Sequence, residues 1–193
     1  MPPIRNYSNW NRRPSDAQDQ IDPYRRYFFS CEGANTETWY FKRLIDLRKE
    51  LDIHPLIDLC LLEKTEEDRN ISYPMQLIDF ANKQKKKIGF HKKWDKMIVV
   101  FDADIFEKKV TNFQEVVALG EKENILAISN PSFELFLLLH FKDAYEKDIL
   151  PNMDAIIKNE KVGNHTFIYH LLWKRTGKNS KKNPEIGELA TQI

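Results

Sequence analysis

Glycine is scarce in this sequence: six residues in 193, and no two of them are spaced as Gly-x-Gly. That scarcity argues against a dinucleotide-binding fingerprint and against a glycine-rich phosphate cradle. Phosphate chemistry, if the chain performs it, has to rest on carboxylates with a metal ion or on basic side chains. Cysteine is scarcer still. Cys31 and Cys60 are too few for a disulfide framework and lack zinc-site spacing. No uninterrupted apolar run reaches the roughly 18–20 residues that a bilayer span requires. The opening Met1-Pro-Pro-Ile-Arg5 has no apolar segment behind it, so no signal peptide is expected. The expectation is a soluble cytoplasmic protein with no membrane contact. An excess of one charge is also missing. Thirty Lys and Arg offset 29 Asp and Glu, which excludes a histone-like polycation and an acidic disordered tail.

The balance conceals an uneven distribution. Residues 83–96 hold seven lysines and one aspartate, and residues 174–182 hold five basic residues and no acid. Residues 37–68 and 97–173 are net acidic. Two basic islands therefore sit in an acidic body. In the first, Lys85, Lys86, Lys87, Lys92 and Lys93 are interleaved with Phe90, His91 and Trp94. Lysines neutralise phosphates and aromatic rings stack on unpaired bases, so these residues and Lys178 of the second island are candidate nucleic-acid contacts.

Hydrophobic periodicity predicts an α/β domain over 24–175, between a flexible arm at 1–23 and a basic polar tail at 176–193. Strands are predicted at 25–30, 55–62, 96–101 and 125–128. The third, Lys96-Met-Ile-Val-Val-Phe101, has the continuous apolar character of a strand buried on both faces. Helices are predicted from Thr36, at 72–87 with Met75, Ile78 and Ala81 inward, and at 110–123. Further helices are predicted at 133–141, with Pro131 at its start, and near 146–159 and 164–174. Strands alternating with helices imply a mostly parallel four-stranded sheet flanked by helices, with a helical C-terminal extension.

Ligands of such sheets bind beyond the carboxyl ends of the strands. Glu32 follows the first strand, Asp102 and Asp104 follow the third, and Glu134 lies just beyond the fourth. Asp102 and Asp104 share one face of an extended chain. Like charges held that close call for a cation, and hard oxygen donors favour Mg²⁺ or Mn²⁺. Three chemistries use a strand-terminal Asp-x-Asp. A haloacid-dehalogenase phosphohydrolase would make Asp102 a nucleophile, but Phe106 departs from its pattern and its later paired acids are missing. A metal-dependent glycosyltransferase leaves Glu32 unexplained. The Toprim metal site has a Glu after the first strand and Asp-x-Asp after the third, which is the order seen here.

Three segments also resemble a known family. Cys31-Glu-Gly-Ala-Asn-Thr-Glu-Thr-Trp-Tyr-Phe41 is similar to the EGxTExxYF opening of RloB-like proteins, with Asn35 as an extra residue. Val99-Val-Phe-Asp-Ala-Asp104 resembles their Asp-x-Asp strand. Ser129-Asn-Pro-Ser-Phe-Glu-Leu-Phe-Leu-Leu-Leu-His-Phe141 resembles their SNPxFExWxxxHF segment, with Phe136 in place of Trp. The resemblance implies a Toprim-like fold and a metal-dependent nuclease of a prokaryotic anti-phage defence system, acting on RNA (tRNA included) or DNA beside an ABC-type ATPase. It implies Glu32 as acid/base or metal ligand, Asp102 and Asp104 as catalytic metal ligands, and Glu134 as a further ligand. Ser129 and Asn130 would shape the metal rim. A homodimer is compatible with this reading, and a non-catalytic adaptor subunit of the ATPase complex is its non-enzymatic rival. Thr36 and Glu37 are open to a plainer role as helix-capping residues. His140 reads as a satisfied core histidine, and the two cysteines as small buried hydrophobes.

Overall fold

The computed structural model describes residues 25–65, 68, 71–103 and 112–192. Strands β1 (Arg25–Cys31), β2 (Ile57–Leu61), β3 (Lys96–Asp102) and β4 (Ile125–Ser129) form one sheet in the order β2-β1-β3-β4, parallel throughout. The crossovers contain α1 (Thr36–Asp46), α2 (Pro74–Lys87) and α3 (Phe113–Glu121), and α4 (Phe133–Leu138) follows β4. The α/β class and the four parallel strands are those expected from the sequence.

The two-residue period of the strands sorts their side chains between two cores. From β1 and β3, Phe29, Cys31, Ile98 and Val100 face a core shared with α1, α4 and the C-terminal helices. Phe28, Met97, Val99 and Phe101 face the opposite core, formed with α2 and α3. Asp102 has the parity of Ile98 and Val100, which directs it to the side covered by α1 and α4.

Several local expectations change. On α2 the buried stripe is Pro74, Leu77, Ile78 and Ala81, at helical spacing, and Met75 lies off it and is exposed. Pro131 precedes α4 instead of opening it, joined to Asn130 by a cis peptide bond, and Ser132 is the residue before the helix. The helix expected near 146–159 is divided into a π-helical turn (Tyr145–Ile149), a 3-10 turn (Leu150–Asn152) and α5 (Met153–Ile157). Pro151 accounts for the break, because its ring removes a donor and crowds the preceding turn. A short hairpin, β5 (Lys161–Val162) and β6 (His165–Thr166), leads into α6 (Phe167–Thr176).

The largest difference is at the C-terminal end. The stretch expected as a polar, flexible tail forms a 3-10 helix, Pro184–Gln192, laid along α1. Ile186, Leu189 and Ala190 are buried there. Gly187 approaches so closely that a Cβ would lie 2.6 Å from the Trp39 carbonyl oxygen. Three apolar residues spaced three and one apart in a charged neighbourhood are too few to raise a periodic signal. The arm at 1–23 lies outside the described residues. Among the described residues no helix is long and apolar enough to cross a membrane.

Ile186 is wholly buried. Ile186→Ala is expected to cost about 2–5 kcal/mol of stability, as for other deep aliphatic truncations. Urea unfolding measures this, and a cost within experimental error would show that the segment is not part of the core.

Candidate metal centre

The parallel register sets the first two members of the site side by side. Cys31 lies across from Val100, and Asp102 across from Ser129. Continuing that ladder, the Glu32 backbone N–H donates to Val100 O at 2.8 Å, and the Asp102 N–H donates to Glu32 Oε2 at 3.1 Å. Ala103 N–H donates to Ser129 O at 2.8 Å, which fixes the turn out of β3. Behind Glu32, Lys64 Nζ donates to the Glu32 and Ile71 carbonyls at 2.7 and 2.6 Å. Burial pulls the Lys64 ammonium below its ordinary range, against the attraction of Glu32 and its neighbours.

Two more carboxylates come from the helices covering this side. Glu134, in the first turn of α4, is 1% exposed, and Glu37, in the first turn of α1, is 5% exposed. Glu134 Oε1 accepts from Ser180 Oγ at 3.1 Å and pairs with Lys181 Nζ at 2.8 Å. Burial raises the Glu134 carboxyl, but the charge and hydrogen bond of Lys181 outweigh it, and Glu134 lies below the usual carboxylate range. Glu37 lies above it. Its burial and the Glu134 charge exceed what Lys181 and its own backbone N–H return. Gly33 makes room for Glu37, since any Cβ there would run into the Glu37 carboxylate.

Asp102 sits among these groups. Burial, then repulsion from Glu37, Glu134 and Glu32 against the pull of Lys181, pushes its carboxyl up to about 9. Its Oδ1 is buried and has no hydrogen-bond partner among the described residues. The Tyr169 hydroxyl is likewise buried without a partner, and it feels the Glu134 and Lys181 charges. An orphaned carboxylate oxygen with like-charged oxygen donors around it suits a hard divalent cation. The donor set therefore fits Mg²⁺ or Mn²⁺. The grouping is not preassembled, however: among the described residues no three His, Cys, Asp or Glu side chains converge on one ion position.

Of the residues expected from the sequence, Glu32, Asp102 and Glu134 are brought to one edge of the sheet, with Ser129 beside them. Asp104 lies outside the described residues. Glu37 and Lys181 were not expected here. Asn35 precedes α1 and makes no capping hydrogen bond with its side chain, and the Glu37 carboxylate accepts from its own backbone N–H in the first turn. Thr36 is the first residue of α1, not the one before it, and its hydroxyl donates to Ser180 O at 2.8 Å. Both belong to motifs legible in the chain, but only their burial reveals that they face the carboxylates.

The first basic island is elsewhere. It spans the end of α2 and the start of β3, and the seven residues of β3 separate it from Asp102 by roughly 20 Å. Lys85 donates to Glu123 O at 2.6 Å, Lys92 pairs with Glu123 at 3.2 Å, and Lys93 lies 4.4 Å above the Trp94 ring. Lys86 and Lys87 are exposed. The second island adjoins the carboxylates: Lys178, paired with Glu185 at 3.3 Å, lies three residues before Lys181. His140 is satisfied by Tyr40 Oη at 2.9 Å and Phe136 O at 3.1 Å. Burial holds the Cys31 thiol protonated, which suits a packing role.

A parallel four-stranded α/β domain with a buried acidic cluster at the carboxyl edge of its sheet is thus the class of protein in hand. The family model of the RloB-like proteins matches residues 27–189, and the chain belongs to that family. No curated protein and no solved structure matches the chain.

Asp102 yields a stability signature. An unfolded aspartate titrates near about 4, and Asp102 in the fold near about 9. Between those values the folded chain holds a proton that the unfolded chain has lost, so stability falls as pH rises through that window. Asp102→Asn is expected to melt higher than the parent in EDTA, with the gap widening from pH 5 to pH 9. A gap that does not change with pH would contradict the assignment.

Proposed function

We propose that the chain is a metal-dependent nuclease of the Toprim type, cleaving phosphodiester bonds in RNA, tRNA among its candidates, or in DNA. The observation that carries this reading is Asp102 Oδ1, buried and without a hydrogen-bond partner among the described residues, on a carboxyl that feels Glu32, Glu37 and Glu134. Setting two half-buried acids, Glu32 and Asp102, against two buried ones, Glu37 and Glu134, destabilises a fold, and packing alone has no use for it. Such clusters mark sites that bind cations and handle protons.

Asp102 and Glu134 would hold Mg²⁺ or Mn²⁺, with Glu32 and Asp104 completing the set. When bound, a divalent ion polarises a phosphoryl oxygen and offsets charge building up on it. The remaining work falls to the protein. Glu32 is less deeply buried than its neighbours and can accept the proton of an attacking water. Lys181, with its side chain 46% exposed at the mouth of the cluster, can meet an incoming phosphate. Lys178 and Lys182 flank that approach. Lys85, Lys86, Lys87, Lys92, Lys93 and Trp94 would contact a nucleic acid long enough to reach around to the opposite edge of the sheet. The partnership with an ABC-type ATPase in anti-phage defence rests on the family alone.

One observation favours a second reading. Lys181 already neutralises Glu134, as it would in an adaptor whose metal site has been retired. The haloacid-dehalogenase reading has less support, because Phe106 departs from its pattern and its later paired acids are missing.

Incubating the protein with tRNA, single-stranded RNA and DNA, with and without Mn²⁺ and with any ATPase encoded beside it, tests the proposal. Cleavage is expected only with the metal. Asp102→Ala and Glu134→Gln are each expected to lower it by at least about a hundredfold, the upper range for groups that merely support metal ligands. Full activity in both variants would remove the assignment. A melting temperature indifferent to millimolar Mn²⁺ would favour the adaptor. Replacing Lys86 and Lys87 by Ala is expected to flatten the salt dependence of binding while leaving cleavage of short oligonucleotides intact. An unchanged salt slope would exclude the first island from the interface.

A further inference from the structure

The segment between α6 and the C-terminal 3-10 helix is a strap tied at both sides. Gly177, in the left-handed conformation at φ 68°, ends α6 and turns the chain back. Asn35 Nδ2 then donates to Lys181 O at 2.9 Å, and Thr36 Oγ1 to Ser180 O at 2.8 Å. Both donors are at the start of α1, next to Glu37. On its other side the strap gives Ser180 Oγ and Lys181 Nζ to the same oxygen, Glu134 Oε1. Lys181 N–H is held by Asn179 Oδ1 at 3.0 Å, so the strap is also braced within itself. The ammonium is therefore delivered to Glu134 by a constrained backbone, which distinguishes it from a surface lysine that happens to find an acid.

The groups facing this ammonium are Glu134, Glu37 and Asp102, each of which favours its charged form. A divalent ion drawn to Asp102 and Glu134 would be held by the same carboxylate that already holds that ammonium. Two cations cannot share one carboxylate without strong repulsion.

We propose that Lys181 is the built-in counter-cation of this site: it holds Glu134 while no divalent ion is bound, and metal binding expels it and loosens the strap at 178–183. The inference rests on the metal-centre reading above and adds a coupling to it. Occupancy of the site is reported on the surface by the strap, and the expelled ammonium is left at the mouth, where a phosphate would arrive. Removing Lys181 strengthens the hold of the cluster on protons as well as on metal. A divalent ion carries twice the charge of a proton, so the metal gains more.

The test uses the whole chain without nucleic acid. Mn²⁺ affinity is measured by calorimetry for the parent, Lys181→Met and Lys181→Gln, the second retaining a polar end should the first fold poorly. Both variants are expected to bind Mn²⁺ about tenfold tighter or more, the scale on which one neighbouring charge acts. Hydrogen exchange in the unmodified protein is the second arm, and Mn²⁺ is expected to speed exchange at the amides of 180–183. Equal or weaker affinity in the variants, or a strap whose exchange is unchanged or slowed by bound Mn²⁺, would overturn the proposal while leaving the metal centre standing. No Mn²⁺ binding by parent or variants would fail the metal centre itself, and the coupling with it.

Discussion

Among the described residues, four carboxyl groups lie between the carboxyl edge of the sheet and the helices above it, with Lys64 behind Glu32 and the ammonium of Lys181 on Glu134. The layout of the C-terminal third follows from that imbalance. A buried charge is tolerated when it is paired and hydrogen-bonded. Glu134 has both, from Lys181 and Ser180, and remains ionised. Asp102 has neither at Oδ1 and holds a proton instead. The strap, the left-handed Gly177 that turns it, and the 3-10 helix that anchors it on α1 hold Lys181 against Glu134.

The strands supply the other half of the arrangement. The parity of β3 gives the odd-numbered Met97, Val99 and Phe101 to one core and the even-numbered Ile98 and Val100 to the other. Asp102 continues the second series at the point where the sheet ends. One step of register would turn it toward α2 and α3, away from Glu37 and Glu134. The close fit of Gly33 against Glu37 has a comparable role on the α1 side.

How much of this was legible in the sequence depended on the distance over which each residue acts. The β-branched and aromatic runs announced the strands, and the rule that parallel sheets bind at their carboxyl ends singled out Glu32, Asp102 and Asp104. The same rule picked out Glu134 beyond the fourth strand, and its place in the Ser129–Phe141 segment added to that. Glu37 passed for a capping residue because an acid in a first helical turn is ordinary. Lys181 passed for part of a solvated tail because five basic residues in nine look the same whether they face water or a buried acid. Ile186, Leu189 and Ala190, which would have betrayed the packed end of the chain, are outnumbered by polar neighbours. The position of the first basic island at the amino edge follows from strand direction, but the sequence alone emphasised its composition over its place.

The bonds from Asn35 and Thr36 to the strap span 146 and 144 residues of sequence. A loop of that size closes slowly, because the chain must give up its freedom before such contacts repay it. Until the strap docks, Glu134 lacks its cation, and the cluster is open to water on that side. The charge state of the site therefore depends on contacts between the two ends of the described chain, and a local opening of the strap would take Lys181 from Glu134.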